Sequence, residues 1–339
     1  MSLQPANKSK VVFAIISQGN CIYTAMTRIA VASLRARNPS LHLVVACDHQ
    51  TDIAIRRTGN PLIGEVDEWV VAYTPPGNAG FRNRFIKTSL RSLIEGPFLF
   101  LDSDIFVCGD LSGIFTLNAD IAGARNRSSV KFNEQVAVQD FTMLVAMGWK
   151  LGTEVYVNAG VLYYNDTPGA YRFADEWHRR WMQSFARFED HRDQPAMHFA
   201  LHETQPRLAV LPDRFNAQFK FTPGVASGAA IWHYYASLNK PPHTPFEQLA
   251  NDLMHGFTLD KGEIAAMAAS KHPWRRDTII DDWCASIIIR RGHFNGWEAA
   301  WLRRETIRYI LRYLRDIANR IQRLVLTLIT SSLWILRRK

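Results

Sequence analysis

The sequence predicts an α/β protein whose mostly parallel sheet is flanked by helices, and three observations carry that prediction. Short continuous apolar runs recur at Val11–Ile16, Leu41–Cys47, Trp69–Tyr73, Phe98–Leu101 and Tyr156–Asn165. Runs of this length fit strands buried on both faces, as in a parallel sheet covered by helices. Between them lie longer stretches whose apolar residues recur at helical spacing, and alternation of the two patterns is the mark of an α/β fold. The early runs also end on polar residues, Ser17-Gln18-Gly19-Asn20 and Asp48, as expected where a doubly wound sheet binds ligands at the carboxyl ends of its strands.

The first run is followed by a helical pattern through Tyr23, Met26, Ile29, Ala30 and Leu34, stopped at Asn38-Pro39. After the third run and the loop Thr74-Pro75-Pro76-Gly77, residues Phe81 to Glu95 read as a helix carrying Arg82, Arg84, Lys87 and Arg91. Arg84 and Lys87 are three apart and share a face. They are placed to meet a diphosphate, or equally to decorate a solvated helix.

The chain is organised around Phe98-Leu99-Phe100-Leu101-Asp102-Ser103-Asp104-Ile105-Phe106-Val107. In one extended strand Asp102 and Asp104 would point to the same side. Paired carboxylates repel, and a divalent cation with a preference for oxygen ligands is what makes such a pair favourable. The plain alternative is a strand ending at Leu101 and a solvated acidic turn, although Ile-Phe-Val directly afterwards is unusual for one.

Further on, Asn126 to Val136 is polar and expected to form a loop. The run Tyr156–Asn165 contains Asn158-Ala159-Gly160, where an interior glycine marks close approach of a ligand or another backbone, or else a β-bulge. Tyr171 to Arg187 reads as a helix packing Phe173, Trp177, Trp181 and Phe185 into the core. Asp193-Gln194-Pro195 then opens a helix through Leu201, with Asp193 suited to the N-cap. Leu208–Leu211 and Ile231-Trp232-His233-Tyr234-Tyr235 are short strands, and Asn239-Lys240-Pro241-Pro242 is a loop. Taken alone, His233 is a core histidine before it is a ligand.

Bulk properties narrow the class. At 339 residues with 47% hydrophobic and 21% charged content, the chain holds a substantial core. Cys21, Cys47, Cys108 and Cys284 make no C-x-x-C pair, so neither a zinc site nor a disulfide framework is expected, and a reducing compartment is. There is no G-x-G-x-x-G and no Walker A sequence, which leaves dinucleotide and P-loop functions without their phosphate loops. No stretch is apolar over the ~20 residues that span a bilayer.

The order F-L-D-S-D-I-F-V, V-N-A-G-V-L-Y-Y-N, D-Q-P-A and I-W-H with a K-P downstream resembles the GT-A fold glycosyltransferases, most of all family 8, a retaining group. The resemblance covers residues 10–242 and implies a nucleotide-sugar transferase domain. It implies Asp102, Asp104 and His233 as ligands of Mn²⁺ or Mg²⁺, and Asn158 beside the donor sugar or acceptor. Asp193 and Gln194 would line the sugar pocket, with Gln194 near the anomeric carbon. Lys240 would hold the diphosphate, Ser103 would belong to the cofactor site, and Ser17, Asn20 and Tyr23 would border the nucleoside. The implied cofactors are the metal and a nucleotide-sugar donor, a UDP-hexose; the implied acceptor is a glycan, glycolipid or cell-surface polysaccharide. Two departures stand out: Ala236 replaces the family's glycine after the histidine, and Lys240 sits one residue late. A soluble transferase acting on a protein or small acceptor, and a catalytically silent sugar-nucleotide-binding module, remain as alternatives.

Residues 243–296 form an accessory region without a readable motif. The net charge of +9 is concentrated beyond it: residues 297–339 hold nine Arg and one Lys against Glu298, Glu305 and Asp316, a balance of +7. There Ile307, Ile310, Leu311, Leu314, Ile317, Ile321, Leu324, Val325 and Leu328 share one helical face, while Arg308, Arg312, Arg315 and Arg323 share another. Such a helix suits an anionic membrane surface, or packing on protein. Peripheral attachment to the cytoplasmic face of a membrane is the expectation. Nucleic acid is not an expected partner, because stacking aromatics and a reading motif are missing.

Overall fold

The computed structural model describes residues 9–127, 136, 138–151, 153–218, 228–234 and 245–269. The chain begins with β1 (Lys10–Ile15), α1 (Ile22–Arg37), β2 (His42–Asp48), α2 (His49–Thr58), the single turn α3 (Leu62–Glu65), β3 (Glu68–Ala72) and α4 (Ala79–Leu93). The middle holds β4 (Phe98–Leu101), β5 (Ile105–Val107), β6 (Ile121–Arg125), α5 (Val138–Met147), β7 (Val157–Tyr164) and α6 (Pro168–Phe188). It continues with α7 (Gln194–Thr204), β8 (Leu208–Leu211), β9 (Ile231–His233), α8 (Pro245–Met254) and α9 (Lys261–Ala269).

Seven strands form one sheet in the order β3-β2-β1-β4-β7-β6-β8. The β1–β2, β1–β4, β2–β3 and β6–β8 pairs are parallel, and β7 runs against both its neighbours. The mostly parallel α/β sheet that the apolar runs predict is therefore present. Alternate residues of each strand feed two cores. On one face Val12, Phe98, Phe100, Leu162 and Tyr164 pack with Ile86 and Leu90 of α4 and with Phe173, Trp177 and Trp181 of α6. On the other, Val11, Phe13, Leu99, Leu101 and Val161 pack with Ala30, Val31 and Leu34 of α1 and Ile55 of α2. This two-sided burial is why the strands read as continuous apolar runs rather than as alternating ones.

Local signals set the element ends. Asn38, just before Pro39, closes α1: its N–H donates to the Leu34 carbonyl and its side chain ties to Gly109 O and Leu111 N. Asp48 caps α2 through the Thr51 N–H, at 2.8 Å. Thr167 caps α6, with Pro168 at its first position.

The run Phe98–Val107 is not one strand, and here the sequence expectation is corrected. β4 ends at Leu101, the chain bends through Asp102–Asp104, and β5 joins a separate two-stranded antiparallel sheet with β9. Strand β6 and helices α5, α8 and α9 also lie where no element was expected. Beyond residue 242, Phe246, Ala250, Leu253, Ile264 and Ala268 of α8 and α9 share a third core with Ala25, Met26 and Ile29 of α1. No helix among the described residues is long and apolar enough to cross a membrane. The expected loop at 126–136 lies largely outside the described residues, and the expected basic helix at 297–339 wholly so.

Candidate active site

Two strand pairings build the centre of the site. In the β4–β7 ladder Leu101 faces Val161, and one step on the Asp102 N–H donates to the Gly160 carbonyl at 2.8 Å. In the small sheet Ile105 faces His233, and the Tyr234 N–H donates to the Asp104 carbonyl at 2.9 Å. Both ends of the acidic turn are thus clamped by backbone, and the clamp brings His233 beside it. One ligand atom from each of Asp102, Asp104 and His233 lies within 4.8 Å of the others, with His233 Nε2 3.4 Å from Asp104 Oδ1.

This arrangement fits a divalent cation. Ligands of ~2.1 Å bond length on one ion lie ~3.0 Å apart when cis and ~4.2 Å when trans, so side-chain rotation is what would close the set. Two carboxylates and one imidazole suit Mn²⁺ or Mg²⁺, and the nitrogen favours Mn²⁺. Space is kept by Gly160. A Cβ there would sit 2.5 Å from His233 Cε1, 2.6 Å from Asp102 Oδ2 and 3.0 Å from Asn158 Oδ1. Of the readings of this glycine, the bulge is present: the β6–β7 register shifts beside it, from Gly123↔Leu162 to Arg125↔Val157.

A chain of side-chain amides supports the histidine. His233 Nδ1 lies 2.8 Å from Asn216 Oδ1, and Asn216 Nδ2 donates to Asn158 Oδ1 at 2.9 Å. The same Asn158 oxygen accepts from the Gly160 N–H at 2.9 Å, and Asn158 Nδ2 donates to Asn126 Oδ1 at 3.1 Å. All these residues are buried.

A second group of charges adjoins the acidic turn. Lys87 Nζ bridges Asp102 Oδ1 and Asp193 Oδ2, 3.3 Å from each, and lies over the Phe100 ring. Arg84 Nε is 3.5 Å from Asp193 Oδ2. Burial works to raise the Asp193 pKa, but Lys87 and Arg84 outweigh it and hold the carboxyl below its ordinary value. Asp193 occupies the N-cap position of α7, yet its side chain makes no capping bond. Capping therefore does not account for it; the two cations do. Arg84, partly exposed, lines a cleft with Tyr23, Asn83, Asp102, Ser103 and Asp104 at the carboxyl end of β1.

Of the other residues singled out from the sequence, Ser103 accepts a hydrogen bond from Thr27 Oγ1 at 3.0 Å. The Gln194 carbonyl oxygen accepts from the Ala159 N–H at 3.1 Å, so Gln194 holds the strand that carries Asn158 and Gly160. The Ser17 hydroxyl is spent within its own turn, on Gly19. Asn20 lines a separate cavity with Arg28 and Asn60 and accepts from Asn60 Nδ2. Lys240 lies outside the described residues.

Sequence reasoning missed Asn216 and Asn126, because an asparagine in a polar stretch gives no periodic signal. It also missed the buried Asp140, which accepts from the Tyr156 hydroxyl at 3.1 Å behind Gln194. Burial drives the Asp140 pKa up to about 6, against the lowering effects of Tyr156 and Arg192.

No family model and no curated protein matches the chain. Among solved structures it is similar to the apo-form glycosyltransferase GlyE of Streptococcus pneumoniae TIGR4, at 19% identity and a TM-score of 0.49 over 78% of this chain and 64% of that one. It is also similar to the galactosyltransferase LgtC in complex with donor and acceptor sugar analogues, at 16% identity and a TM-score of 0.47 over 74% and 97%. A third is mouse xyloside xylosyltransferase 1, at 13% identity and a TM-score of 0.44 over 69% and 99%. The match spans about 64% of the length of the pneumococcal protein. At these scores the likenesses assign no residue role.

Proposed function

We propose that the chain is a metal-dependent GT-A glycosyltransferase of the family 8 type, moving a hexose from a nucleoside diphosphate sugar to a glycan or glycolipid with retention. The observation that carries this is the meeting of Asp102, Asp104 and His233 around the bare Cα of Gly160, with Asp102 and Asp104 lining the same cleft as Arg84. Asp102, Asp104 and His233 would hold the cation, which when bound supplies Lewis-acid stabilisation of the leaving diphosphate.

The protein's own groups have distinct tasks. Arg84 supplies a fixed positive charge beside the acidic turn, where negative charge grows on the leaving group. Its pKa is raised: burial alone would lower it, but Asp193 and Asp102 more than compensate, so it stays charged. Tyr23 lines the same cleft, where an aromatic ring would suit stacking on a base. Asp193 faces Lys87 and Arg84, a setting that suits holding sugar hydroxyls and weakens a carboxylate as nucleophile. Gln194 is a poor nucleophile, and its carbonyl is already committed to the Ala159 N–H. Neither residue favours double displacement, so attack from the face that the diphosphate leaves, through an oxocarbenium-like transition state, accounts best for retention. A UDP-hexose donor, an acceptor at a membrane and a bound anionic surface at residues 297–339 complete the proposal. These rest on the sequence.

Turnover of a panel of UDP-hexoses with Mn²⁺, read as UDP release, tests it. Release that is lost in Asp104→Asn is expected. Tight, metal-dependent UDP binding without release from any nucleoside diphosphate sugar, whatever the acceptor, would instead indicate a silent binding module.

A further inference from the structure

We propose that Asn216 is a positioning residue whose side-chain amide locks His233 in the tautomer protonated on Nδ1, turning the Nε2 lone pair toward Asp102 and Asp104. This rests on the metal-binding role proposed above but goes beyond the ligand set to what makes the ligand competent.

The orientation follows from one group whose role cannot be reversed. The Gly160 backbone N–H only donates, so the Asn158 side-chain atom 2.9 Å from it is the carbonyl oxygen. Asn216 presents its other contact to that same oxygen at 2.9 Å, so the atom there is the amide nitrogen. Flipping Asn216 would set two carbonyl oxygens against each other in a buried site, where an unmade hydrogen bond is costly. The remaining atom of Asn216, its oxygen, therefore faces His233 Nδ1 at 2.8 Å, and Nδ1 must supply the proton. Nε2, 3.4 Å from Asp104 Oδ1, is left as the donor atom for a cation. A single backbone N–H thus propagates through two amides to fix a ring proton. Asn126, accepting from Asn158 Nδ2, anchors the far end.

The lock serves the proposed chemistry by removing a competitor. A ring protonated on Nε2 would point an N–H at Asp104 and bind the carboxylate itself, closing the site to metal. Outer hydrogen bonds of this kind commonly hold 10- to 100-fold in metal affinity.

The test uses the full chain, metal-free and labelled with ¹⁵N-histidine, at mildly alkaline pH. Long-range ¹H–¹⁵N correlation reads the His233 tautomer, with His233→Gln identifying its signals. Wild type is expected to show a protonated Nδ1 and a bare Nε2, a result that requires no variant to fold. Asn216→Leu is expected to lose this pattern and to weaken Mn²⁺ binding by about 10- to 100-fold, read by electron paramagnetic resonance of free Mn²⁺. Asn216→Asp keeps an acceptor for Nδ1–H but sets an oxygen against Asn158 Oδ1, so it is expected to retain the tautomer at a cost in urea stability. A wild-type ring protonated on Nε2 overturns the lock even if Mn²⁺ binds. So does an Asn216→Leu protein with unchanged tautomer and Mn²⁺ affinity. A protonated Nδ1 in a protein that binds no Mn²⁺ upholds the lock and removes the proposed function instead.

Discussion

Replacing Gly160 by alanine adds one methyl group at the point where the site is tightest. The new Cβ would lie 2.5 Å from His233 Cε1 and 2.6 Å from Asp102 Oδ2, about 1 Å inside normal contact. Something must yield, and both neighbours are proposed metal ligands whose backbones are clamped by the β4–β7 and β5–β9 pairings. Overpacking of this kind costs about 1–3 kcal/mol in stability. A ~1 Å displacement of positioned groups costs about 100-fold in rate. Gly123→Ala is the matched control: its Cβ would meet Val157 Cγ1 at 2.5 Å and Leu162 Cδ2 at 2.9 Å, a comparable clash against apolar side chains. Urea unfolding should show similar losses for both variants. Mn²⁺ titration should show a loss of at least about tenfold for Gly160→Ala and little change for Gly123→Ala. Wild-type Mn²⁺ affinity in a folded Gly160→Ala protein would refute the idea that this glycine keeps space for a cation.

Three further tests probe the buried titratable groups. Lys87→Met leaves Asp193 buried with only Arg84 nearby, and should cost about 3–5 kcal/mol in urea unfolding, partly recovered by adding Asp193→Asn. A fully additive double mutant would contradict the pairing. Asp140, pushed up to about 6 chiefly by burial, binds its proton more tightly folded than unfolded, where its pKa is ~3.9. Its contribution therefore falls as pH rises from ~4 to about 6 and stays unfavourable above, by about 3 kcal/mol. Asp140→Asn should gain on wild type across that window, and a pH-independent difference would count against it. His198 behaves in the opposite sense, because burial holds it down at about 4 against ~6.5 unfolded. Its stabilising share is complete above ~6.5 and is lost as pH falls to about 4, again by about 3 kcal/mol. His198→Gln should flatten that acid limb, and an unchanged limb would contradict it.

The sheet was legible because two-sided burial writes strands as unbroken apolar runs, and the helices because their apolar faces repeat. What the sequence hid was the second sheet. A strand ending at Leu101 before an acidic turn is one of its two readings, but nothing in an apolar–acidic–apolar pattern says that Ile105 leaves for another sheet. That departure matters for function: in a continuous strand His233 would have no register opposite Ile105. The site's charged members were visible as types at particular positions, but not as partners. Asp193 looked like a cap because helix starts attract aspartate, whereas its side chain turns to Lys87 and Arg84, residues over a hundred positions earlier. Asn216 and Asn126 carried no signal, since a buried amide is meaningful only through its hydrogen-bond partners.

The most direct test of the central claim is calorimetric titration of UDP into wild type and Asp104→Asn, each with Mn²⁺ and with a chelator. UDP binding that requires Mn²⁺, and that weakens at least about tenfold when Asp104 is neutralised, is the predicted result. UDP binding equal in all four titrations would contradict it, since the acidic turn and His233 would then hold no cation that the nucleotide uses.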